Sequence, residues 1–231
     1  MILRVSLFVW IAAWLVAGFL WAPLVPVLGS TTHILYFHIP SAWIAVLALG
    51  WSMLFSLLYL WKRRLELDDQ AAAAAELGIL FCVGATVSGA LWAKAQWGAY
   101  WNWDPRETSI FFVLLIYGAY LALRSSIEGE ERRARLAAVY SAIAFVSVPF
   151  LMFVVPRVFA TLHPSPILPS RGERGSMDPR IVLTFVAMLA GFTALFFWVL
   201  SLKVRLLRRE RRALSEPPRV ARTASKPSTG V

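Results

Sequence analysis

The sequence predicts an all-α integral membrane protein, a bundle of six transmembrane helices with an amphipathic segment on its outer surface. Of its 231 residues, 59% are hydrophobic and 16% are charged, which is a more apolar composition than that of soluble domains. Six apolar segments approach the roughly 20 residues that a helix needs to cross a bilayer. They cover residues 5–28, 40–61, 72–93, 109–123, 136–155 and 181–202. We therefore place a single membrane domain at residues 1–202.

Two details of these segments need interpretation. Arg4 leads directly into an apolar stretch without a small-residue cleavage site, so we interpret residues 5–28 as a retained span. Glu76 lies inside the third segment but near its end, where its carboxylate is expected to reach the membrane interface. Because an ionisable residue within a span is also a functional candidate, the role of Glu76 stays open.

Most of the 23 lysines and arginines are expected on one side of the membrane. They lie at the N-terminus, in the second and fourth loops and in the tail of residues 203–231. The positive-inside rule therefore predicts that both termini are cytoplasmic and that the first, third and fifth loops face outward. The net charge of +10 then reflects topology and attraction to the lipid membrane, and no nucleic-acid partner is predicted. The tail begins as a basic helical extension and ends in Pro, Ser and Thr, which predicts disorder.

The third loop contains the unusual segment WGAYWNWDPRET, residues 97–108. On a helical wheel Trp97, Trp101 and Asp104 share one face, and Pro105 predicts that the helix breaks or restarts there. Such an amphipathic segment would lie along the membrane surface with its apolar side down. An interfacial aromatic belt would explain the tryptophans, but it does not explain the charged residues among them.

All three histidines lie in the predicted outer loops. His38 stands two residues before Pro40, just off the outer end of the second span, and His163 directly precedes Pro164 after the fifth. A single interfacial histidine is usually only a polar group, but two neutral imidazoles together are good ligands for haem iron or another borderline metal. A zinc site is disfavoured because no cysteine and no His/Glu motif accompanies them. No proline follows His33 closely enough to fix its position at a helix end, so His33 is interpreted as a bystander or a spare ligand.

The outer loops together suit a ligand with a flat apolar body and a charged edge. Indole rings stack on large planar rings, and arginines pair with carboxylates. Haem has this shape. The tryptophan segment would cradle the porphyrin, Arg106 or another outer cation would meet the propionates, and His38 and His163 would bind the iron. Asp104 is expected to orient Arg106 or to cap a helix.

The same segment resembles the tryptophan-rich WWD signature of the haem-handling proteins of cytochrome c biogenesis. The stretches FHIPSAW and TLHPSP resemble the histidine-bearing outer loops of the CcmC family, and the resemblance extends over roughly residues 5–202. The residues that match the pattern W-G-x-x-W-x-W-D-x-R-x-T are Trp97, Gly98, Trp101, Trp103, Asp104, Arg106 and Thr108. The resemblance implies that His38 and His163 are the axial ligands of a haem b carried as cargo, with the WWD segment as its platform.

The resemblance also implies a role and partners. Such proteins present haem at the periplasmic face of the bacterial inner membrane and transfer it to a haem chaperone of the CcmE type. They work with an ABC-type membrane subunit and ATPase of the CcmB and CcmA types, and with a small membrane protein of the CcmD type. The chain has no G-x-x-x-x-G-K-[ST] loop, so the ATPase is expected to be another subunit. No bond-making catalysis of its own is expected.

Two alternatives stay open. The CcmC family is related to CcmF and CcsA through the WWD domain, and Pro105 and Glu107 resemble the CcsA branch more than the usual CcmC form. Membership of that branch would make the chain a haem lyase that acts directly on CxxCH thiols. That branch typically carries more spans and a further histidine pair inside the membrane, whereas no predicted span here contains a histidine. A secondary transporter is a third interpretation, weakened by the lack of paired broken helices at mid-membrane depth.

Overall fold

The structure, a computed structural model, describes residues 2–164 and 177–215, and every regular element in these two ranges is a helix. In chain order the elements are α1 (Ile2–Leu20), a 3₁₀ segment (Gly29–Tyr36), α2 (His38–Lys62), α3 (Leu65–Trp97), α4 (Pro105–Ser126), α5 (Glu130–Pro149), a π-helical segment (Phe150–Val154), α6 (Val155–Val158) and α7 (Pro179–Ser215). Short loops join α2 to α3, α3 to α4 and α4 to α5, and the described residues also contain one 3₁₀ segment and one π-helical segment.

The architecture confirms an all-α membrane protein. Within the described residues, five helical stretches are long and apolar enough to cross a bilayer, and the helix Arg4–Leu20 is a shorter apolar one. A helix rises about 1.5 Å per residue, so the 19 residues of α1 extend over about 28 Å. Six apolar helices therefore stand where the sequence predicts six spans, and the chain is a multi-pass membrane protein.

The first helix is shorter than the sequence predicts. The span assigned to residues 5–28 is wrong at its C-terminal end, because α1 ends at Leu20 and a turn follows. Pro23 and Pro26 explain the difference, since proline has no amide hydrogen for the helix and its ring clashes with the preceding turn. The chain then tightens into the 3₁₀ segment Gly29–Tyr36, which leads directly to α2.

The long helices run antiparallel between two ends of the bundle, which we call the histidine end and the arginine end. At the histidine end α2 begins at His38, α3 stops at Trp97 and α4 begins at Pro105. At the arginine end α2 stops at Lys62 and α3 begins at Leu65. The helices α2, α3 and α4 therefore bring His38 and the WWD segment to the same end of the bundle.

The two terminal helices pack on each other in the same antiparallel manner. The Arg4 guanidinium lies over the Trp198 ring at 5.9 Å, and Trp10 Nε1 donates a hydrogen bond to the Ala187 carbonyl at 2.9 Å. The third helix lies at the centre and contacts α2, α4, α5 and α7. Its run of small residues is fully buried, as Ala73 illustrates, and small side chains let membrane helices approach closely.

Ion pairs tie α3 to two other helices at the arginine end. Arg124 of α4 makes a two-pronged contact with Asp68, with nitrogen–oxygen distances of 2.7 and 2.9 Å. Arg211 of α7 pairs with the neighbouring Asp69. Both carboxylates are buried, so each needs a charged partner to offset the cost of removing it from water.

A third pair gives Glu76 a structural role. Its carboxylate contacts Lys203 of α7, and both side chains remain about one-third exposed. The boundary that the sequence places at residue 202 falls inside α7, which continues without a break to Ser215. The basic helical extension predicted for the start of the tail is therefore present, and residues 216–231, for which disorder is predicted, lie outside the described residues.

Candidate functional site

The WWD segment is a tight connection between two helices. Trp97 is the last residue of α3, and Gly98 follows with a left-handed φ of 81°, a conformation that terminates the helix and that glycine adopts without steric cost. Residues 98–104 form no helix, and α4 begins at Pro105. The helical face predicted for Trp97, Trp101 and Asp104 is therefore wrong, whereas the restart predicted at Pro105 is confirmed.

Asp104 caps the new helix, which is one of its two predicted roles. Its Oδ1 accepts a hydrogen bond from the Arg106 amide at 2.9 Å. Glu107 reaches back, and its Oε2 accepts from the amides of Asp104 at 3.3 Å and Asn102 at 2.8 Å. This capping box, with proline at the first helical position, satisfies amides that would otherwise lack partners at the helix start.

The same carboxylate holds the loop that carries His163. Thr161 Oγ1 donates to Asp104 Oδ2 at 2.8 Å, the Leu162 amide donates to the same oxygen at 2.7 Å, and His163 Nδ1 lies 2.9 Å from Oδ1. Asp104 is only 4% exposed. It therefore joins the third and fifth loops, a role that residue spacing did not indicate because its partners lie far away in the chain.

The surroundings set the charge of both members of this pair. Burial raises the pKa of Asp104, but hydrogen bonds from the Arg106 and Leu162 amides and from Thr161 lower that pKa by more, so the group stays ionised. Burial lowers the pKa of His163 to about 4, with Arg106 acting in the same direction and Asp104 opposing it. His163 is therefore neutral near pH 7, donates its Nδ1 hydrogen to the carboxylate and leaves Nε2 with a free lone pair.

His38 is held in an equivalent state by α3. Its Nδ1 lies 2.9 Å from the Ala85 carbonyl oxygen and 3.1 Å from Ser88 Oγ. Because a carbonyl can only accept, the short contact requires a hydrogen on Nδ1, and in the neutral ring Nε2 then carries the lone pair. The helix starts at His38 itself, two residues earlier than predicted, so the histidine belongs to the first turn of α2.

The two imidazoles lie on the same part of α3. His38 packs against Gly89, and the His163 ring is centred 5.5 Å from Trp92, one helical turn further along. His38, when charged, also lowers the pKa of His163, which shows that the two rings share one electrostatic environment. The structure thus brings together two histidines from distant loops at the histidine end.

Two tryptophans border His163, and one of them was not predicted. Trp97 meets the imidazole edge-on with 5.0 Å between ring centres, and Trp92 lies 5.5 Å from the imidazole and 4.7 Å from Trp97, so the three rings form one cluster. Trp92 Nε1 also donates to Thr31 Oγ1 at 3.0 Å and so ties α3 to the 3₁₀ segment. Trp92 lies at the outer end of the predicted span 72–93, close to the third loop, and this position was the available signal. The WWD motif itself begins only at Trp97.

Trp101 and Trp103 form a separate aromatic patch. Their rings are 5.8 Å apart, and both pack at 6.3 Å on Phe111 of α4 instead of on the imidazoles. Trp103 is 67% exposed and has a φ of 57°, which is strained for a bulky residue. Non-glycine residues in this conformation concentrate at functional sites. These two indoles are presented outward, next to the histidine end.

The charged and polar members of the predicted set lie around this patch. The Arg106 side chain is exposed and within electrostatic reach of Asp104 and of Arg157. The Gly98 carbonyl accepts a hydrogen bond from Lys94 Nζ at 2.7 Å. His33 lies in the 3₁₀ segment, where its ring stacks on Phe19 of α1 at 4.1 Å.

The fold and the site define a multi-pass helical membrane protein that gathers two neutral imidazoles and several indoles at one end. The family model of Heme exporter protein C, CcmC, matches residues 1–217. Heme exporter protein C of Bradyrhizobium diazoefficiens is 33% identical over 190 residues, covering 80% of this chain and 71% of the relative. That of Rhodobacter capsulatus is 32% identical over 209 residues, covering 90% and 86%.

The chain belongs to the CcmC family, whose members handle haem in cytochrome c maturation. A more distant similarity links it to cytochrome c biogenesis protein CcsA of Fagopyrum esculentum subsp. ancestrale. That protein is 34% identical over 112 residues, which cover 48% of this chain and 34% of the relative.

Proposed function

We propose that this protein binds haem b as cargo at the histidine end and hands it to a haem chaperone of the CcmE type. The observation that supports the proposal most strongly is the state of the two imidazoles. His38 and His163 both direct Nδ1 at an oxygen acceptor, so both keep Nε2 free for iron. Carbonyl or carboxylate partners on the remote nitrogen are the usual arrangement for metal-binding histidines.

The remaining residues fit the rest of the haem. Trp97 supplies an indole ring next to His163, Trp101 and Trp103 supply two more on Phe111, and Gly98 keeps the backbone of this segment free of a side chain. The exposed Arg106 guanidinium is the proposed partner of a propionate, because arginine pairs with carboxylates through two parallel hydrogen bonds. Asp104 contributes indirectly by orienting His163.

The proposed activity is transfer without bond-making catalysis by this chain. Two neutral imidazoles hold iron firmly, and a ligand on a loop is released when that loop moves. The proposed partners are CcmB- and CcmA-type subunits of an ABC complex, a CcmD-type small membrane protein and the CcmE-type chaperone. The proposed location is the bacterial inner membrane, with both termini in the cytoplasm and the histidine end at the periplasmic face.

The experiment that tests the proposal is absorption spectroscopy of the detergent-purified protein, oxidised and reduced. The wild type is expected to show six-coordinate haem after co-expression with the chaperone. His38→Ala and His163→Ala are each expected to lose that signal and to abolish chaperone loading. His33→Ala is the matched control and is expected to keep both, because the His33 ring stacks on Phe19 of α1. Full haem content and full loading in both single variants would refute the ligand assignment.

A second candidate function is direct transfer of haem to an apocytochrome, as the alternative of a CcsA-type lyase requires. The similarity to CcsA over 112 residues favours it. The two candidate functions differ in the protein that receives the haem. Loading of purified apocytochrome by this protein, without any chaperone, would establish the lyase activity, whereas haem appearing only on the chaperone would support the transfer proposal.

A further inference from the structure

The His38 ring lies against the backbone of α3 at Gly89, a residue that has no side chain. A Cβ atom on residue 89 would stand 2.8 Å from His38 Cε1 and 3.4 Å from Nδ1. Real Cβ atoms essentially never approach another heavy atom within 3.0 Å. Gly89 therefore sets how closely the ring lies to the helix. The atom Cε1 is bonded to both ring nitrogens, so any shift there also moves Nε2.

Hydrogen bonds from the same face of α3 also hold the ring. Nδ1 meets both the Ala85 carbonyl and Ser88 Oγ. The Ser88 hydroxyl donates to the Gly84 carbonyl at 2.7 Å, so its lone pairs are available to the imidazole. Ala85, Ser88 and Gly89 thus form a seat on α3 that fixes the depth, the rotation and the tautomer of His38.

His163 is held in a different way. It lies on non-helical chain that follows α6, and its side-chain hydrogen bond goes to Asp104 on another loop. Moving His163 requires that this loop separate from Asp104 and that the imidazole leave Trp92 and Trp97. Moving His38 requires that its ring give up two hydrogen bonds to α3, and its backbone belongs to α2, which packs extensively against α3.

We propose that Gly89 and Ser88 are positioning residues that fix the His38 ring, so that His38 stays on the haem iron while His163 is the ligand that exchanges during hand-over. This inference rests on the proposed function. It assigns different tasks to the two histidines: His38 is the constant ligand, and His163 leaves a coordination position open for the incoming chaperone.

The positioning claim is tested with Gly89→Ala in the haem-loaded protein. We expect altered electron paramagnetic resonance g-values for the ferric six-coordinate haem and about tenfold faster haem loss, the lower end of the effect of changing an outer partner of a metal ligand. Gly84→Ala is the open control, because nothing lies within 4 Å of its new Cβ. Gly191→Ala is the crowded control, since its Cβ would stand 2.9 Å from Ile11 and 3.1 Å from Trp10, and none of these nearest atoms belongs to a histidine. Both controls are expected to match the wild type.

Ser88→Ala supplies a second variant that removes one hydrogen bond without crowding, and we expect a smaller change in the same g-values. Wild-type g-values and haem loss in both Gly89→Ala and Ser88→Ala would overturn the positioning claim. The same would follow if Gly191→Ala altered the spectrum as much as Gly89→Ala, because crowding alone would then explain the effect.

The exchange claim is tested with cyanide, which displaces one axial ligand of ferric haem and leaves the other. If His38 stays, the cyanide adduct of Gly89→Ala differs from the wild-type adduct, whereas the adduct of Asp104→Asn, which loosens the loop of His163 and leaves the contacts of His38 in place, matches it. The reverse pattern would overturn the assignment. Absence of six-coordinate haem in the wild type would instead refute the proposed function, and it would be seen before any variant is compared.

Discussion

At the scale of single residues, one carboxylate organises the histidine end. Asp104 caps α4 and accepts hydrogen bonds from Thr161, Leu162 and His163, so it is fully partnered although it is buried. Charge-assisted hydrogen bonds are about twice as strong as neutral ones, which explains how a carboxylate is tolerated there. Because Asp104 determines the tautomer of His163, it controls the lone pair that is proposed to bind the iron.

This environment makes the stability of the haem-free protein depend on pH. Burial, assisted by Arg106, lowers the pKa of His163 from 6.5 to about 4. Between these values the unfolded state binds a proton that the folded state does not, so stability is complete above pH 6.5 and falls as the pH drops toward 4. A loss on the order of 3 kcal/mol in the free energy of unfolding is expected over this window.

Thermal unfolding of the haem-free protein in detergent, followed across this pH window, measures the loss. His163→Gln keeps a side chain of similar size and does not titrate, so its melting temperature is expected to fall by less than that of the wild type over the same range, and the decline that remains is the contribution of His38. Asp104 does not change its charge within this pH window, because its pKa is lowered below the usual 3.8. An equal decline in the variant and the wild type would contradict the assignment to His163.

At the scale of elements, α4 is fixed at both ends by side chains. Its first turn is closed by the capping box, and its last turn carries Arg124, which pairs with the buried Asp68 of α3. One helix therefore links the WWD segment to the arginine end. The packing is completed by Tyr140 of α5, whose hydroxyl donates to the Ile116 carbonyl in the middle of α4 at 2.8 Å.

Arg124→Leu is expected to destabilise the protein strongly, because it leaves the Asp68 carboxylate buried without its partner. Breaking a buried pair in this way typically costs about 3–5 kcal/mol. The free energy of unfolding in mixed micelles measures the effect. Arg180→Gln is the control, since it breaks an exposed pair with Asp178 and is expected to change little.

The double variant Asp68→Leu/Arg124→Leu is expected to recover most of that stability, because no unpaired charge remains in the bundle. Equal destabilisation by the double and single variants would show that packing of the arginine side chain, and not its charge, supports α4.

At the scale of the whole molecule, the two ends of the bundle differ in helix length and in chemistry. The 37 residues of α7 extend over about 55 Å and the 33 of α3 over about 50 Å, both longer than a hydrocarbon core of about 30 Å. Their excess length at the arginine end carries ion pairs between Asp69 and Arg211. The aromatic site and the basic extension thus occupy opposite ends of one bundle.

Labelling with a membrane-impermeant maleimide in intact cells tests the predicted orientation. Cys82 is the chain's one cysteine and is 2% exposed within α3, so the native protein is expected to remain unlabelled. Asn102→Cys, at the exposed WWD segment, is expected to react from outside the cell. Ser125→Cys, at the arginine end, is expected to react only after the membrane is opened. The opposite pattern would reverse the proposed topology.

The sequence by itself determined the membrane class, the number and approximate position of the apolar helices, and the histidine and WWD candidates. These features depend on apolar length, charge distribution and short motifs, which are local properties of the chain. The errors are local as well: two prolines end α1 early, and Gly98 and Pro105 exclude the helix drawn through Trp97, Trp101 and Asp104.

Only the tertiary structure decided how the imidazoles are held. Ala85 and Ser88 lie 47 and 50 residues from His38, and Asp104 lies 59 residues from His163, so no spacing rule connects them. These contacts exist because antiparallel packing returns each helix to the same end of the bundle. The orientation of each ring, its tautomer and the difference between a helix-borne and a loop-borne histidine all follow from that packing.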